Sequence, residues 1–240
     1  MGGNLRLAAR LTALIVALLA ALALHGLWRL VRLPSPWPRL FLGNVARIVG
    51  ARIHVVGTPL RRDVVFLANH LSWIDILLIA GATGSAFVAK GELARVPLIG
   101  WLCTLNRTIF VSREDRLGIA EQIARLRAAI GEGWAVTIFP EGTTGDGVTL
   151  LPFKASLLAA LDPPPPATQV QPIRIDYGDA TTELAWVGDE PGQSHALRVL
   201  RRRGRFDATL RCLTPFDPAS CGGRKAVAAT ARDRIALAIL

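Results

Sequence analysis

A histidine stands five residues before an aspartate in the stretch ANHLSWIDI, which separates two apolar runs at residues 68–76. A carboxylate that accepts from one ring nitrogen of a histidine leaves the other nitrogen free to take a proton. His70 and Asp75 are therefore candidates for a general base and the acid that orients it. The other three histidines have no motif beside them and are interpreted as structural or incidental: His25, His54 and His195.

The start of a helix explains the same residues without catalysis. Ser72 and Asp75, three positions apart before an apolar run, have the pattern of an N-cap and a first-turn acid. If His70 and Asp75 were both helical, their side chains would point about 140° apart. The two interpretations are compatible if His70 lies in the turn before the helix and Asp75 is directed back from its first turn. The spacing alone leaves the choice open.

His70 ends a short β-rich apolar run, residues 63–70, which is typical of a buried parallel strand. Open α/β sheets bind ligands at the carboxyl ends of their strands. Other strand-like runs alternate with helical ones, and this alternation predicts an α/β fold with a mixed, largely parallel sheet flanked by helices. The remaining strands are expected at 52–57, 85–90, 107–113, 134–143, 168–177 and 206–213, and helices from 73, over 116–130 and from 223.

The composition indicates a membrane surface as partner. Hydrophobic residues make up 51% of the 240 residues, and the formal net charge is +10. Such a charge indicates an anionic partner, and the apolar composition favours an acidic membrane over nucleic acid. Aromatic residues are only 6% and no recognition motif accompanies the basic run Arg201–Arg205, so no nucleic acid is expected. Three scattered cysteines form no C-x-x-C pair, so no metal site is expected.

An uncharged apolar stretch at residues 11–28 is about the shortest that can span a bilayer. A signal peptide is the alternative, because Ala21-Leu22-Ala23 resembles a cleavage site. Basic residues beyond the stretch outnumber those before it, which favours a retained anchor with the main body at the cytoplasmic face of the inner membrane. We expect an N-terminal membrane-associated helical anchor over 1–33, a linker that could include an interfacial helix over 34–62, and the main domain over 63–240.

Four blocks resemble, in order, the motifs of the glycerolipid acyltransferases, the family that contains the 1-acylglycerol-3-phosphate acyltransferases. NHLSWID matches the N-H-x4-D motif, and FVAKGELARVPLIGWL followed by TIFVSR is similar to the second block. FPEGTTGDGVTLLPFK and VQPIRIDY are similar to the third and fourth. The resemblance covers approximately residues 63–177. LNRTIFVSR, LPFK and LAWVGD are more similar to the branch that contains lyso-ornithine lipid acyltransferases.

The resemblance implies O-acyl transfer from acyl-ACP or acyl-CoA to the free hydroxyl of a lysolipid. The main candidate acceptor is 1-acyl-sn-glycerol-3-phosphate, which would give phosphatidic acid, and the alternative is lyso-ornithine lipid. It implies that His70 is the general base, that Asp75 orients it, and that neither a metal nor another cofactor is required. It also implies a set of substrate-binding residues: Arg113 for the acceptor phosphate, with Glu141, Gly142, Thr143 and Lys90.

Two other classes stay open at this point. A lipid hydrolase could use His70 as base, although the chain has no G-x-S-x-G nucleophile elbow. A basic membrane-binding protein without enzymatic activity would explain the charge alone. Ser112 stands where many family members have aspartate, and an acceptor without glycerol phosphate would weaken the expected role of Arg113.

Overall fold

The structure, a computed structural model, describes residues 2–111 and 118–238. Within these residues seven strands form one sheet in the order β1-β7-β6-β2-β5-β3-β4. Every neighbouring pair is parallel except β6 and β7. The predicted fold class is therefore confirmed. The strands are β1 (Ala51–Val56), β2 (Val64–Ala68), β3 (Ala86–Lys90), β4 (Ile109–Val111), β5 (Ala135–Ile138), β6 (Gln169–Asp176) and β7 (Phe206–Cys212).

Helices cover both faces of the sheet. The apolar side chains of α2, α3 and α7 pack with those of one face, and α5 and α8 pack with the other. This arrangement explains why β2 is a continuous apolar run: it lies in the middle of the sheet and all five of its residues are buried. The helices are α1 (Gly2–Leu30), α2 (Trp37–Ile48), α3 (Ile74–Thr83), α4 (Pro97–Leu105), α5 (Gly118–Gly131), α6 (Thr181–Leu184), α7 (Gly192–Arg201) and α8 (Arg224–Leu237).

Two glycines bring α2 close to α3, the helix that follows β2. A Cβ atom added at Gly81 would lie 2.6 Å from the Cα of Gly43, so the two helix backbones are in direct contact. Arg39 of α2 donates to the carbonyls of Gly81 and Ala82, both at 3.0 Å, and so pairs with orphan acceptors at the end of α3. These contacts hold α2 against α3, the helix that carries Asp75.

Helix α1 is long and apolar enough to cross a membrane, on length and composition alone, and a signal sequence would pass the same criterion. It lies along the folded domain. Near its N-terminus Arg10 donates to the carbonyls of Val199 (3.0 Å) and Leu200 (3.1 Å) in the last turn of α7. Near its C-terminus the rings of Trp28 and Trp37 meet edge to face, with centroids 5.7 Å apart. Both ends of α1 therefore contact the rest of the chain from the same side.

The division of the chain at residue 63 stays a prediction, and the sheet includes residues from both sides of it. β1 belongs to the segment 34–62, yet it pairs in parallel with β7 along its whole length, from Ala51 opposite Phe206 to Val56 opposite Arg211.

Candidate active site

Three neighbouring strands end at one edge of the sheet, and each is followed by a polar side chain of the site. β2 lies between β5 and β6 and is parallel to both, so the carboxyl ends of the three strands coincide. His70 follows β2, Glu141 follows β5, and Tyr177 follows β6. The predicted location of a ligand site, at the carboxyl end of β2, is therefore also where two other loops meet.

His70 and Asp75 form a hydrogen-bonded pair. The Nδ1 atom of His70 lies 2.8 Å from Oδ2 of Asp75. His70 is in the turn before α3 and Asp75 is in the first turn of that helix, directed back towards the imidazole. The carboxylate accepts, so the proton of the neutral ring resides on Nδ1 and Nε2 keeps its lone pair. The imidazole also stacks on Phe139, with centroids 3.9 Å apart, which restricts its rotation.

The helix starts differently from the expected cap. Its N-cap residue is Trp73, whose side chain makes no cap hydrogen bond. The hydroxyl of Ser72 accepts from the N–H of Ile74 at 3.4 Å, a long hydrogen bond. Asp75 instead holds the turn before the helix, because its Oδ2 accepts from the N–H of Leu71 (2.6 Å) and of Ser72 (3.0 Å), which both precede Trp73. One carboxylate therefore shapes the turn and orients the histidine.

Tyr177 completes the set of donors around the carboxylate. Its hydroxyl donates to Oδ1 of Asp75, and both side chains are buried, at 1% and 0% exposure. Burial, reinforced by the negative charge of Asp75, raises the pKa of Tyr177 well above its ordinary value of 10.0, so the hydroxyl keeps its proton. With the donors from His70, Leu71 and Ser72, the carboxylate accepts four hydrogen bonds, about as many as it has acceptor sites. This full set allows a charge to be buried without a cation beside it.

Glu141 ties the loop after β5 to the loop after β2. Its Oε1 accepts from the backbone N–H of His70 at 2.7 Å, and its Oε2 accepts from the N–H of Leu151 at 3.0 Å. Burial raises the pKa of Glu141, and the two backbone hydrogen bonds oppose that shift. Glu141 is thus in contact with the backbone of His70, while its predicted role towards substrate stays a prediction. Gly142 follows in a left-handed conformation (φ 73°), which a glycine adopts without strain.

Asn69 fixes the other side of the same loop. Its amide donates to the carbonyl of Ile175 at 3.0 Å, and its side-chain oxygen accepts from the N–H of Ile175 at 2.7 Å. The side chain therefore extends the β2–β6 pairing by one step and joins the loop of His70 to the strand that Tyr177 follows.

A shallow cleft lies at this edge of the sheet, with about 250 Å³ of space when the open solvent at its mouth is included. His70 lines it, and its Nε2 has no hydrogen-bond partner within residues 2–111 and 118–238. A second pair, His54 and Asp207, has the same 2.8 Å separation but is largely exposed, at 54% and 58%, against 18% for His70 and 0% for Asp75. Burial and the cleft therefore distinguish the candidate base from an ordinary surface ion pair. The cleft is lined by Asn69, His70, Leu71, Glu141, Gly145, Gly147, Val148, Thr149, Leu150 and Arg174.

Comparison with known proteins identifies the family. The model of a family described as "Acyltransferase" matches residues 52–176, slightly more than half of the chain. The chain belongs to the acyltransferase family. The enzyme class predicted from the sequence, an O-acyltransferase, is therefore confirmed.

Several relatives and a solved structure are similar to this acyltransferase. A lyso-ornithine lipid O-acyltransferase of Rhodobacter capsulatus is 34% identical over 95% of this chain and 88% of its own length. A Brucella abortus protein of the same name is 32% identical over 92% of this chain and 91% of its own. A 1-acyl-sn-glycerol-3-phosphate acyltransferase of Neisseria gonorrhoeae is 34% identical over 49% of this chain and 46% of its own length. The crystal structure of the 1-acyl-sn-glycerophosphate acyltransferase PlsC from Thermotoga maritima shares the fold, with a TM-score of 0.65 and 23% identity over 84% of this chain and 76% of that one.

Three other residues were predicted to bind substrate: Thr143, Lys90 and Arg113. Thr143 is exposed in the loop after β5. Lys90 is the last residue of β3, and its side chain is outside the described part of the structure, as is the whole of Arg113. In the described ranges no three His, Cys, Asp or Glu side chains come close enough together to hold a metal ion. The roles of Thr143, Lys90 and Arg113 stay predictions.

Sequence reasoning missed Tyr177 and Arg174 at this site. Both are in the fourth sequence block, in which only the strand itself was expected. One signal for Tyr177 was available, because it is the only tyrosine of the chain and directly follows a predicted strand.

Proposed function

We propose that this acyltransferase moves an acyl chain from acyl-ACP or acyl-CoA to the free hydroxyl of a lysolipid, with lyso-ornithine lipid as the first candidate acceptor. The near-complete matches to two proteins named lyso-ornithine lipid O-acyltransferases support this acceptor. The acceptor predicted first from the sequence, 1-acyl-sn-glycerol-3-phosphate, is the second candidate. The half-length match to the Neisseria protein supports it.

The buried His70–Asp75 pair beside the cleft is the observation that carries the proposal. In this mechanism Nε2 of His70 removes the proton from the acceptor hydroxyl as its oxygen attacks the thioester carbonyl. Asp75 holds the ring in the required tautomer and stabilises the imidazolium. The new C–O bond forms, the C–S bond breaks, and His70 returns its proton to the sulfur of the leaving thiolate. The acceptor is the nucleophile, so the protein needs none.

The test replaces His70 by alanine and measures free thiol released from acyl-CoA or acyl-ACP in the presence of each acceptor. We expect His70→Ala to lower turnover by at least about a thousandfold, because both the base and its oriented hydrogen bond are lost. His54→Ala removes the exposed partner of Asp207 and serves as the matched control, with an expected change of less than twofold. Full activity of His70→Ala in a folded, lipid-bound protein would contradict the mechanism. Absence of turnover by the wild type with every pair of donor and acceptor would contradict the function.

We further propose that α1 lies in the plane of the membrane surface. A helix of this length measures about 43 Å, enough to span the hydrocarbon core. The hydrogen bonds of Arg10 to α7 and the contact of Trp28 with Trp37 hold both of its ends on the domain, which argues against a perpendicular orientation. Its outward side is apolar, with Ile15 58% and Leu19 62% exposed. Three free cysteines and the excess of basic residues support the cytoplasmic face of the inner membrane.

A further inference from the structure

Beyond the reaction, the structure also points to how the acceptor is recognised. We propose that Arg174 binds the anionic group of the acceptor, a carboxylate or a phosphate, while the acceptor hydroxyl lies at His70. This inference rests on the proposed function, because it assigns a subsite within the same cleft.

The position of Arg174 places it at the reaction site. It lies on β6, one residue before Ile175, which the side chain of Asn69 joins to the loop of His70. Arg174 and His70 line the same shallow cleft. An acceptor that enters this cleft therefore meets the candidate base and a cation together.

The charge of Arg174 is poorly compensated within the described protein. In the antiparallel pairing of β6 with β7, it lies directly opposite Arg211. Like charges at directly opposed positions destabilise a sheet. Burial lowers the pKa of Arg174, the charge of Asp176 opposes this shift, and the charge of Arg211 adds a smaller lowering effect. Across residues 2–111 and 118–238 the guanidinium forms neither a hydrogen bond nor an ion pair within 4.0 Å.

The one carboxylate acting on Arg174 is engaged elsewhere. Asp176 accepts from the N–H of Gly178 at 2.7 Å and from the hydroxyl of Thr181 at 3.1 Å, which closes the turn after β6. A half-buried guanidinium facing a like charge, with its donors unused, is a pattern that a bound anion would relieve. Two arginines at opposed positions of a sheet are locally unfavourable, and such an unfavourable arrangement is expected at a functional position.

The chemistry of guanidinium fits both candidate acceptors. Its planar donors form two parallel hydrogen bonds to a carboxylate or to a phosphate. Ornithine lipids carry the first group and lysophosphatidate carries the second. Arg174 would thus select an acceptor that carries an anionic group over one that lacks it, and the geometry of the rest of the cleft would distinguish the carboxylate from the phosphate.

The experiment compares Arg174→Gln and Arg174→Lys with Arg211→Gln as the matched control. Arg211 has the same charge and lies on the adjacent strand, but it is exposed and does not line the cleft. With the thioester saturating, we expect Arg174→Gln to raise the KM for lyso-ornithine lipid or lysophosphatidate at least tenfold and to leave the KM for the thioester within twofold. Arg174→Lys should recover part of the loss, and Arg211→Gln should stay within twofold of wild type.

A neutral acceptor gives a second readout. The ratio of kcat/KM for lysophosphatidate to that for monoacylglycerol should fall at least tenfold in Arg174→Gln, because only the anion loses a partner. A merely structural effect of the substitution would lower both values together. An unchanged ratio and an unchanged acceptor KM would overturn the inference.

Binding without turnover separates this inference from the proposed function. Short-chain lysophosphatidate and short-chain lyso-ornithine lipid are titrated calorimetrically into wild type and Arg174→Gln in the absence of thioester. At least tenfold tighter binding of either lipid by wild type supports the Arg174 subsite, even if wild type acylates neither lipid and the proposed function fails. Equal affinities for both lipids overturn the subsite whatever the turnover.

Discussion

Replacing Tyr177 by phenylalanine removes one hydroxyl and tests whether the buried carboxylate needs all its donors. The ring can keep its place, since it packs edge to face against Phe206 with centroids 5.6 Å apart. The lost contact is the hydrogen bond to Oδ1 of Asp75, and Oδ2 keeps its three donors. The perturbation therefore acts on the orientation and charge of the acid that holds His70.

The size of the effect follows from the charge of the acceptor. A hydrogen bond to a charged group contributes about 1.5–3 kcal/mol, and Oδ1 of Asp75 is left without a donor in a site that excludes water. We expect the free energy of unfolding to fall by about that amount. If the same interaction supports the transition state, in which the imidazolium forms, kcat falls by about 10- to 150-fold. The unshared charge of Asp75 then acts more strongly on the imidazolium, so the acidic limb of the pH–rate profile moves to higher pH.

The assay measures thiol release against pH for wild type, Tyr177→Phe and the control Phe206→Leu. Phe206→Leu disturbs the same packing without touching the carboxylate, so it should lower the thermal midpoint and leave the acidic limb in place. The reasoning is refuted if Tyr177→Phe loses stability but keeps kcat within twofold and an unshifted profile. Tyr177 would then be a packing residue alone.

Three further predictions follow from buried or exposed side chains. Glu141→Gln leaves one of two partly buried backbone N–H groups without an acceptor, and thermal denaturation should show a loss of about 1–3 kcal/mol together with lower turnover. Burial lowers the pKa of His195 below its ordinary value of 6.5, so the folded protein should lose stability as the pH falls below 6.5. The thermal midpoint of His195→Gln should therefore change less than that of wild type between pH 7.5 and 5.5. Ile15→Asn with Leu19→Asn should weaken co-sedimentation with anionic vesicles at least fivefold, whereas Leu237→Asn, at a leucine of α8 that is 70% exposed, should not. Equal retention of the variants would contradict an in-plane α1.

Local patterns were sufficient for most of the elements. The apolar runs at 63–70 and 168–177 became β2 and β6, and the helical spacing over 116–130 became α5, within a few residues. Helices α4 and α7 were not expected. The first is a short segment between a proline and a turn, and the second is largely polar on its outer side, with His195, Val199 and Leu200 buried. Such helices are stabilised by the surface that they cover, which local sequence does not reveal.

The sequence by itself determined the chemistry of the candidate site: a histidine at a strand end, an aspartate five residues later, and blocks typical of acyltransferases. It also determined a helix long enough to cross a membrane. Only the tertiary structure decided what surrounds the pair, since Glu141 reaches His70 from 71 residues away and Tyr177 reaches Asp75 from 102. The same holds for α1, whose hydrogen bonds to α7 span about 190 residues of sequence. These contacts depend on the strand order β6-β2-β5 and on helix packing, which arise from long-range burial and leave no periodic signal in the chain.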